Sequence, residues 1–166
     1  MIYTSPIGKL YIDVSGDRIT GICIEGQKCV KARETVIHSN EADEDTVRTV
    51  TRWLDAYFSG ERPDPLLLHL ELRGSEFQKV VWNSLLAIPY GQTLAYSQLA
   101  KAAASAMGKS VISAQAVGQA VGKNPVSIVI PCHRVIGING RLTGYAAGIE
   151  RKRWLLLHEG AEFKED

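Results

Sequence analysis

Near residues 73–75 the chain changes its apolar rhythm, and that break constrains the fold more than any other feature of the sequence. Before it, residues 9–14 and 19–24 read as strands joined by Ser15-Gly16-Asp17-Arg18, a β-hairpin. Val47, Val50, Trp53, Leu54, Tyr57 and Phe58 then recur at helical spacing over residues 45–58. Gly60 and Pro63-Asp64-Pro65 break that helix, and residues 66–72 read as a closing strand. After the break the pattern turns helical. Ser75 and Gln78 form a capping box, and Phe77, Val80, Val81, Leu85 and Ile88 follow on one face until Pro89-Tyr90-Gly91 ends the helix. Two short helices are expected at about residues 94–104 and 113–122, separated by Gly108-Lys109-Ser110, with Ser113 as the second cap. A last helix over 149–158 stops at Glu159-Gly160. The expected fold is α+β, with a small α/β domain over 1–73 and a mainly helical domain over 74–166, a division that 166 residues accommodate.

Several classes drop out. No apolar stretch approaches the roughly 18 residues of a spanning helix, so no membrane partner is expected. Met1-Ile2-Tyr3-Thr4-Ser5-Pro6 lacks the regions of a signal peptide. Three cysteines, an odd number and far apart, argue against a disulfide framework, and a reducing cytoplasm is the expected compartment. Cys23 and Cys29 read as small buried hydrophobes. With His38 and His69 they show no zinc spacing, so neither metal nor cofactor is expected. Residues 1–72 carry 8 Lys+Arg against 12 Asp+Glu, and residues 73–166 carry 11 against 6. The second part is mildly basic, which permits a polyanionic partner without requiring one.

Two stretches carry candidate chemistry. Ala114-Gln115-Ala116-Val117-Gly118-Gln119-Ala120-Val121-Gly122 contains nothing larger than Gln. Val117 and Val121 fit a core face, and Gln115, Gly118, Gln119 and Gly122 share the opposite one. Two glycines cost about 1 kcal/mol each against Ala. A thin helix offsets that if its backbone approaches another surface closely, whether nucleic acid or a second helix. Further on, Cys132 follows Pro131 and precedes His133. A thiol is nucleophilic only as thiolate and needs a base nearby. Neighbours on an extended strand point apart, so the segment must turn, or a water must bridge, for His133 to serve Cys132. Glu159 could orient the imidazole as a third member. Taken singly, an apolar-flanked cysteine is more often a buried small hydrophobe than a nucleophile, and His133 could equally be a satisfied core histidine.

Ile130-Pro131-Cys132-His133-Arg134-Val135, preceded by Gly122-Lys123-Asn124-Pro125-Val126, resembles the active-site signature of the O6-alkylguanine-DNA alkyltransferases. Tyr96-Ser97-Gln98-Leu99-Ala100, Ala116-Val117-Gly118, Thr143-Gly144-Tyr145 and the run from Trp154 to Gly160 extend the match over essentially all of 75–160. Thr4-Ser5-Pro6-Ile7-Gly8 is similar to the opening of the family's N-terminal domain. The resemblance implies a ribonuclease H-like first domain and a winged helix-turn-helix-like second one. It implies a monomer that binds duplex DNA containing alkylated guanine, with the second helix of the motif in the minor groove. The damaged base is flipped into a pocket, because a thiolate cannot reach an atom inside the stack.

Carried over residue by residue, Cys132 is the nucleophile, His133 activates it through a water, and Glu159 orients His133. Tyr96 donates to guanine N3, and Asn124 holds the turn before the active-site segment. The carbonyls of Cys132 and Val135 read the exocyclic amine, while Pro131, Tyr145 and the Ala146 amide shape the pocket. Arg134 holds the loop. Gln115, Ala116, Gly118, Gln119 and Lys123 face DNA. Alkyl transfer, from O6-alkylguanine and also O4-alkylthymine, would leave a thioether with no second nucleophile to remove it, so each protein acts once. The alternative is a damage sensor that binds alkylated DNA without repairing it; such relatives lack the cysteine. Three departures stand out. Gln115 occupies a place the family usually gives to arginine, the interval from Tyr96 to Gln115 is about five residues longer than usual, and Ala147 replaces a common glycine.

Overall fold

The computed structural model describes residues 1–29 and 41–165, and His38 lies outside them. The chain divides into two compact units, one of residues 1–73 with 125–127, the other of residues 74–124 with 128–166.

The first unit is a three-stranded antiparallel sheet, β1 (Ile2–Ser5), β2 (Gly8–Ser15) and β3 (Arg18–Ile24) in that order, covered by helix α1 (Glu41–Phe58). β1 extends the expected hairpin by one strand. On β2 the alternation is regular, with Leu10, Ile12 and Val14 buried, and α1 packs Val50, Trp53, Leu54 and Tyr57 into the core. Burial of each such side chain contributes about 1.5–3 kcal/mol.

β3 is buried almost continuously, and its outer edge is not open. Ile19 N–H donates to the His69 carbonyl at 2.8 Å, and Glu71 N–H to the Ile19 carbonyl at 3.0 Å. Further along, Ile22 N–H donates to the Pro125 carbonyl at 2.9 Å, and Ser127 N–H to the Ile22 carbonyl at 2.9 Å. Two short segments thus satisfy backbone groups that an edge strand would leave unpaired.

Two expectations are corrected in this unit. Residues 66–72 are not a strand. Pro65–Leu67 form a 3-10 turn whose first amide the Asp64 carboxylate caps, at Leu66 N, 2.9 Å. Only Leu70 bridges Ile19, and Leu66 and Leu67 stand exposed. The prolines fix the backbone dihedral that starts the turn, and this overrides the apolar pattern. Cys23 and Cys29 are joined in a disulfide. An odd total does not preclude a local pair, and the reversal after β3, with Gly26 at φ +89°, brings the two Cα atoms to 6.2 Å.

The second unit is built on four helices, α2 (Glu76–Leu86), α3 (Tyr96–Ala106), α4 (Ala114–Gly122) and α5 (Ile149–His158), with a short parallel pair, β4 (Leu94–Ala95) and β5 (Val135–Ile136). The Ser75 capping box is present, the Ser75 hydroxyl accepting from Gln78 N–H and the Gln78 amide oxygen from Ser75 N–H. Helices α2, α3 and α4 converge on Val81, Trp82, Leu85, Leu99, Ala103, Val117 and Val121, all buried. Trp82 Nε1–H donates to the Ala120 carbonyl at 2.9 Å, pinning α2 to α4. Small residues on α4 permit this close approach, and its other face carries the exposed Gln115, Gln119 and Gly122 with Gly118 half-buried. Gly118 lies against the Tyr96 ring, where a Cβ would meet Cε1 at 3.7 Å. Among the described residues no helix is long and apolar enough to cross a membrane.

Candidate active site

The segment after α4 does turn, as service of Cys132 by His133 demands. Pro131 adopts φ −82° and ψ 63°, an inverse γ-turn in which Cys132 N–H donates to the Ile130 carbonyl at 2.8 Å. Cys132–Arg134 then form one 3-10 turn, all three buried. Upstream, Ile128 sits at φ +75°, a conformation that costs a β-branched residue on the order of 1–3 kcal/mol. Asn124 ties this unusual path together: its Nδ2 donates to the Ile130 carbonyl at 2.7 Å and to Cys132 Sγ at 3.0 Å.

His133 and Glu159 meet at 2.6 Å between Nε2 and Oε1, both side chains fully buried. Burial pushes the imidazole pKa down despite the carboxylate, so His133 is neutral at neutral pH and Nε2 carries its proton toward Glu159. Nδ1 is then an acceptor, buried and without a protein partner among the described residues. Glu159 is held from four directions. Besides His133, it accepts from Arg134 Nε at 2.8 Å, Arg134 Nη2 at 3.1 Å and Gly91 N–H at 3.1 Å. Burial alone would raise this carboxyl, but the hydrogen bonds and charges of His133 and Arg134 hold it well below the usual carboxylate range. Gly91, at φ +75°, admits no side chain here: a Cβ would lie 2.8 Å from the Glu159 carbonyl oxygen. Arg134 also donates to the Ile88 carbonyl at 2.6 Å and stacks on Tyr90, 5.6 Å from the ring centre. These contacts tie the guanidinium to Glu159, the Ile88 carbonyl and Tyr90.

The thiol is buried, 6% exposed. Burial pushes it up, while Asn124, the Lys152 charge and the Tyr145 hydroxyl pull it down. At rest it is a thiol, so chemistry needs a base. The Tyr145 hydroxyl is buried outside hydrogen-bonding geometry yet close enough to Cys132 for each to shift the other. Tyr96 opens α3 half-buried, and burial keeps its hydroxyl protonated and available to donate. Pro131 and Val135 are buried, and Ala146 is exposed. The Cys132 carbonyl already accepts from Val135 N–H and the Val135 carbonyl from Lys152. On α4, Gln115, Gln119 and Lys123 are exposed and Ala116 half-buried.

Lys152 is the residue the sequence reading missed. It is 0% exposed, donates from Nζ to the carbonyls of Val135 at 2.5 Å and Thr143 at 2.9 Å, and is lowered to about 8 by burial, against the pull of Cys132. Its charge and that of a Cys132 thiolate favour each other. One signal was present: Lys152, Leu155, Leu156 and Glu159 follow helical spacing, which puts a lysine on the buried stripe of α5.

Residues 1–72 match the family profile described as 6-O-methylguanine DNA methyltransferase, ribonuclease-like domain, and residues 76–161 that described as 6-O-methylguanine DNA methyltransferase, DNA binding domain. Two relatives are named methylated-DNA--protein-cysteine methyltransferase. One, from Methanosarcina acetivorans, is 40% identical over 96% of this chain and 97% of its own. The other, from Mycobacterium leprae, is 41% identical over 92% and 86%. The crystal structure of Mycobacterium tuberculosis O6-methylguanine methyltransferase aligns with TM-score 0.76 at 40% identity, over 96% of this chain and 90% of that one. The same organism's protein in complex with DNA aligns with TM-score 0.77 at 40% identity, over 96% and 91%. With both halves of the chain matched, and two relatives at 40% identity or more covered over most of their length, the chain belongs to the 6-O-methylguanine-DNA methyltransferase family.

Proposed function

We propose that the protein repairs DNA by direct reversal, moving the alkyl group of O6-alkylguanine in a duplex to Cys132 Sγ. The observation that carries this is the buried His133–Glu159 pair directly after the buried Cys132, with His133 Nδ1 unpartnered among the described residues. His133 Nδ1 accepts the thiol proton through a water, and Glu159 stabilises the imidazolium that forms. The thiolate attacks the alkyl carbon, an S–C bond forms and the C–O6 bond breaks. Tyr96 donates a proton to guanine N3, so the base leaves neutral, and the histidine proton restores the tyrosine. The balance is thiol plus alkylguanine to thioether plus guanine. Lys152 stabilises the thiolate, and Asn124 orients it.

The exposed small-residue face of α4 suits close approach to a minor groove, and Gln115 fills the gap left by the flipped base. O4-alkylthymine presents a similar alkyl carbon and is a second substrate. A thioether resists water, and no other free cysteine stands among the described residues, so each protein acts once. Working on DNA, it acts in the cytoplasm, as a monomer. Mass spectrometry after incubation with excess O6-methylguanine duplex tests the reading. One added methyl on Cys132 is expected; several turnovers per protein, or methyl elsewhere, would overturn it.

A further inference from the structure

The turn joining α3 to α4, residues 107–113, is long, and most of its residues are exposed. It leaves α3 in a fixed direction, because Gly108 at φ +63° lets Lys109 N–H donate back to the Ala104 carbonyl at 2.9 Å and Gly108 N–H to the Ser105 carbonyl at 3.1 Å. It re-enters at Ser113, whose hydroxyl accepts from Ala116 N–H at 3.1 Å. Between these anchors Lys109, Ser110 and Val111 are all exposed. Val111 is 80% exposed, the highest value of any large apolar side chain among the described residues. A cleft of about 260 Å³ lies between the turn and α3, lined by Ser97, Lys101, Ser110 and Val111 among others. From Tyr96 to Lys123 the charged side chains are Lys101, Lys109 and Lys123, with no acid between them, and acids are absent from Phe77 to Ile149. Lys109 has no carboxylate partner among the described residues.

We propose that this turn is a second DNA-contact element, in which Lys109 meets a backbone phosphate and Val111 packs on the adjoining deoxyribose edge. The proposal rests on the reading that α4 faces duplex DNA. The turn runs directly into the exposed face of α4 that begins at Gln115, so the two surfaces are continuous. A cation beside an apolar side chain matches the rim of a groove, where phosphate and sugar alternate. A protein surface would answer the lysines with carboxylates, but it would not need the acid-free frame of α3 and α4. The longer turn therefore widens the footprint on the strand, and it supplies from its tip a positive charge that Gln115 does not.

The test is binding of an unmodified duplex, followed by fluorescence anisotropy across a salt series, for the intact protein and for Lys109→Gln, Val111→Ser and Lys9→Gln. Lys9 is exposed on β2 and removes the same charge from the first unit. Lys109→Gln is expected to flatten the slope of log K against log salt by about 0.9 and to weaken binding about fivefold at about 0.15 M salt. Val111→Ser should weaken binding about threefold with the slope unchanged. Lys9→Gln should leave both unaltered. Single-turnover transfer from free O6-methylguanine, which needs no duplex, should be equal in all four and reports that each is folded. An unchanged slope for Lys109→Gln, or an equal change for Lys9→Gln, overturns the proposal while leaving the transferase reading intact. Failure of the unsubstituted protein to transfer or to bind duplex overturns the reading beneath it.

Discussion

Replacing Glu159 by Gln tests the buried cluster most directly, because it keeps the shape and removes one charge. Three residues donate to that carboxylate, and Arg134 is only 9% exposed. Without it the guanidinium keeps the Ile88 carbonyl but no counter-charge. Breaking a buried pair by removing one partner costs about 3–5 kcal/mol. For a chain of this size that lowers the melting temperature by about 6–20 °C. His133 also loses the group that fixes its tautomer and stabilises its imidazolium, so transfer should slow by about 10²–10⁴. The double variant Arg134→Met/Glu159→Gln separates the effects: removing the orphaned cation should restore most of the melting temperature and none of the rate. The sign of the pH dependence follows from the depressed Glu159 pKa. The carboxylate's contribution is complete above its unfolded value of about 4.3 and is lost as pH falls below it. The stability gap between the unsubstituted protein and Glu159→Gln should therefore be constant from about pH 7 to about pH 5 and narrow in stronger acid. Circular dichroism melts and single-turnover transfer from free O6-methylguanine supply the measurements. If the double variant regains rate together with stability, Glu159 merely supports the fold and the catalytic reasoning fails.

Two further outcomes are expected. The transfer rate should hold steady from about pH 6.5 to about 8: His133, with its pKa lowered, stays neutral until pH falls below the ordinary histidine value, and Lys152 loses its charge above about 8; a stopped-flow pH profile whose acid limb lies above about 6.5 would contradict the assignment of the base. On duplex substrate Gln115→Ala should slow repair moderately and Gln115→Arg should speed repair or tighten binding, because one neutral hydrogen bond of about 1 kcal/mol cannot offset the few kcal/mol of flipping; on the free base all three should react alike, and equal duplex rates would move the inserted residue elsewhere, to Gln119.

What was legible in the sequence was what local chemistry decides. Ser75 and Gln78, three residues apart, announce a helix start, and the small residues of α4 announce a helix with a valine face and a bare face. Cys132, His133 and Glu159 are legible through the resemblance, and the need for a turn at Cys132 follows from strand geometry. What was missed depends on partners remote in the chain. Helical spacing puts Lys152 on the buried stripe of α5, but the carbonyls of Val135 and Thr143 that accept its protons lie 17 and 9 residues away, and the spacing does not name them. Leu70 pairs at one point only, since the turn started by Pro65 aims the rest of its segment outward. The Cys23–Cys29 bridge depends on a reversal that a count of cysteines does not contain. Arg134 is expected as a loop support, and its two bonds to Glu159 give that support a specific object.

The closure of β3 has a consequence for synthesis. Ile22 leaves the ribosome early, but the backbone groups that pair with it belong to Pro125 and Ser127, more than 100 residues later. At about 5–20 residues per second, that N–H and C=O wait roughly 5–20 s for their partners. Through that interval the nascent first unit carries an open sheet edge, the kind of surface on which chains aggregate. A fragment ending at Arg73 would keep that edge open permanently, so completion of the first unit is timed by translation of the second.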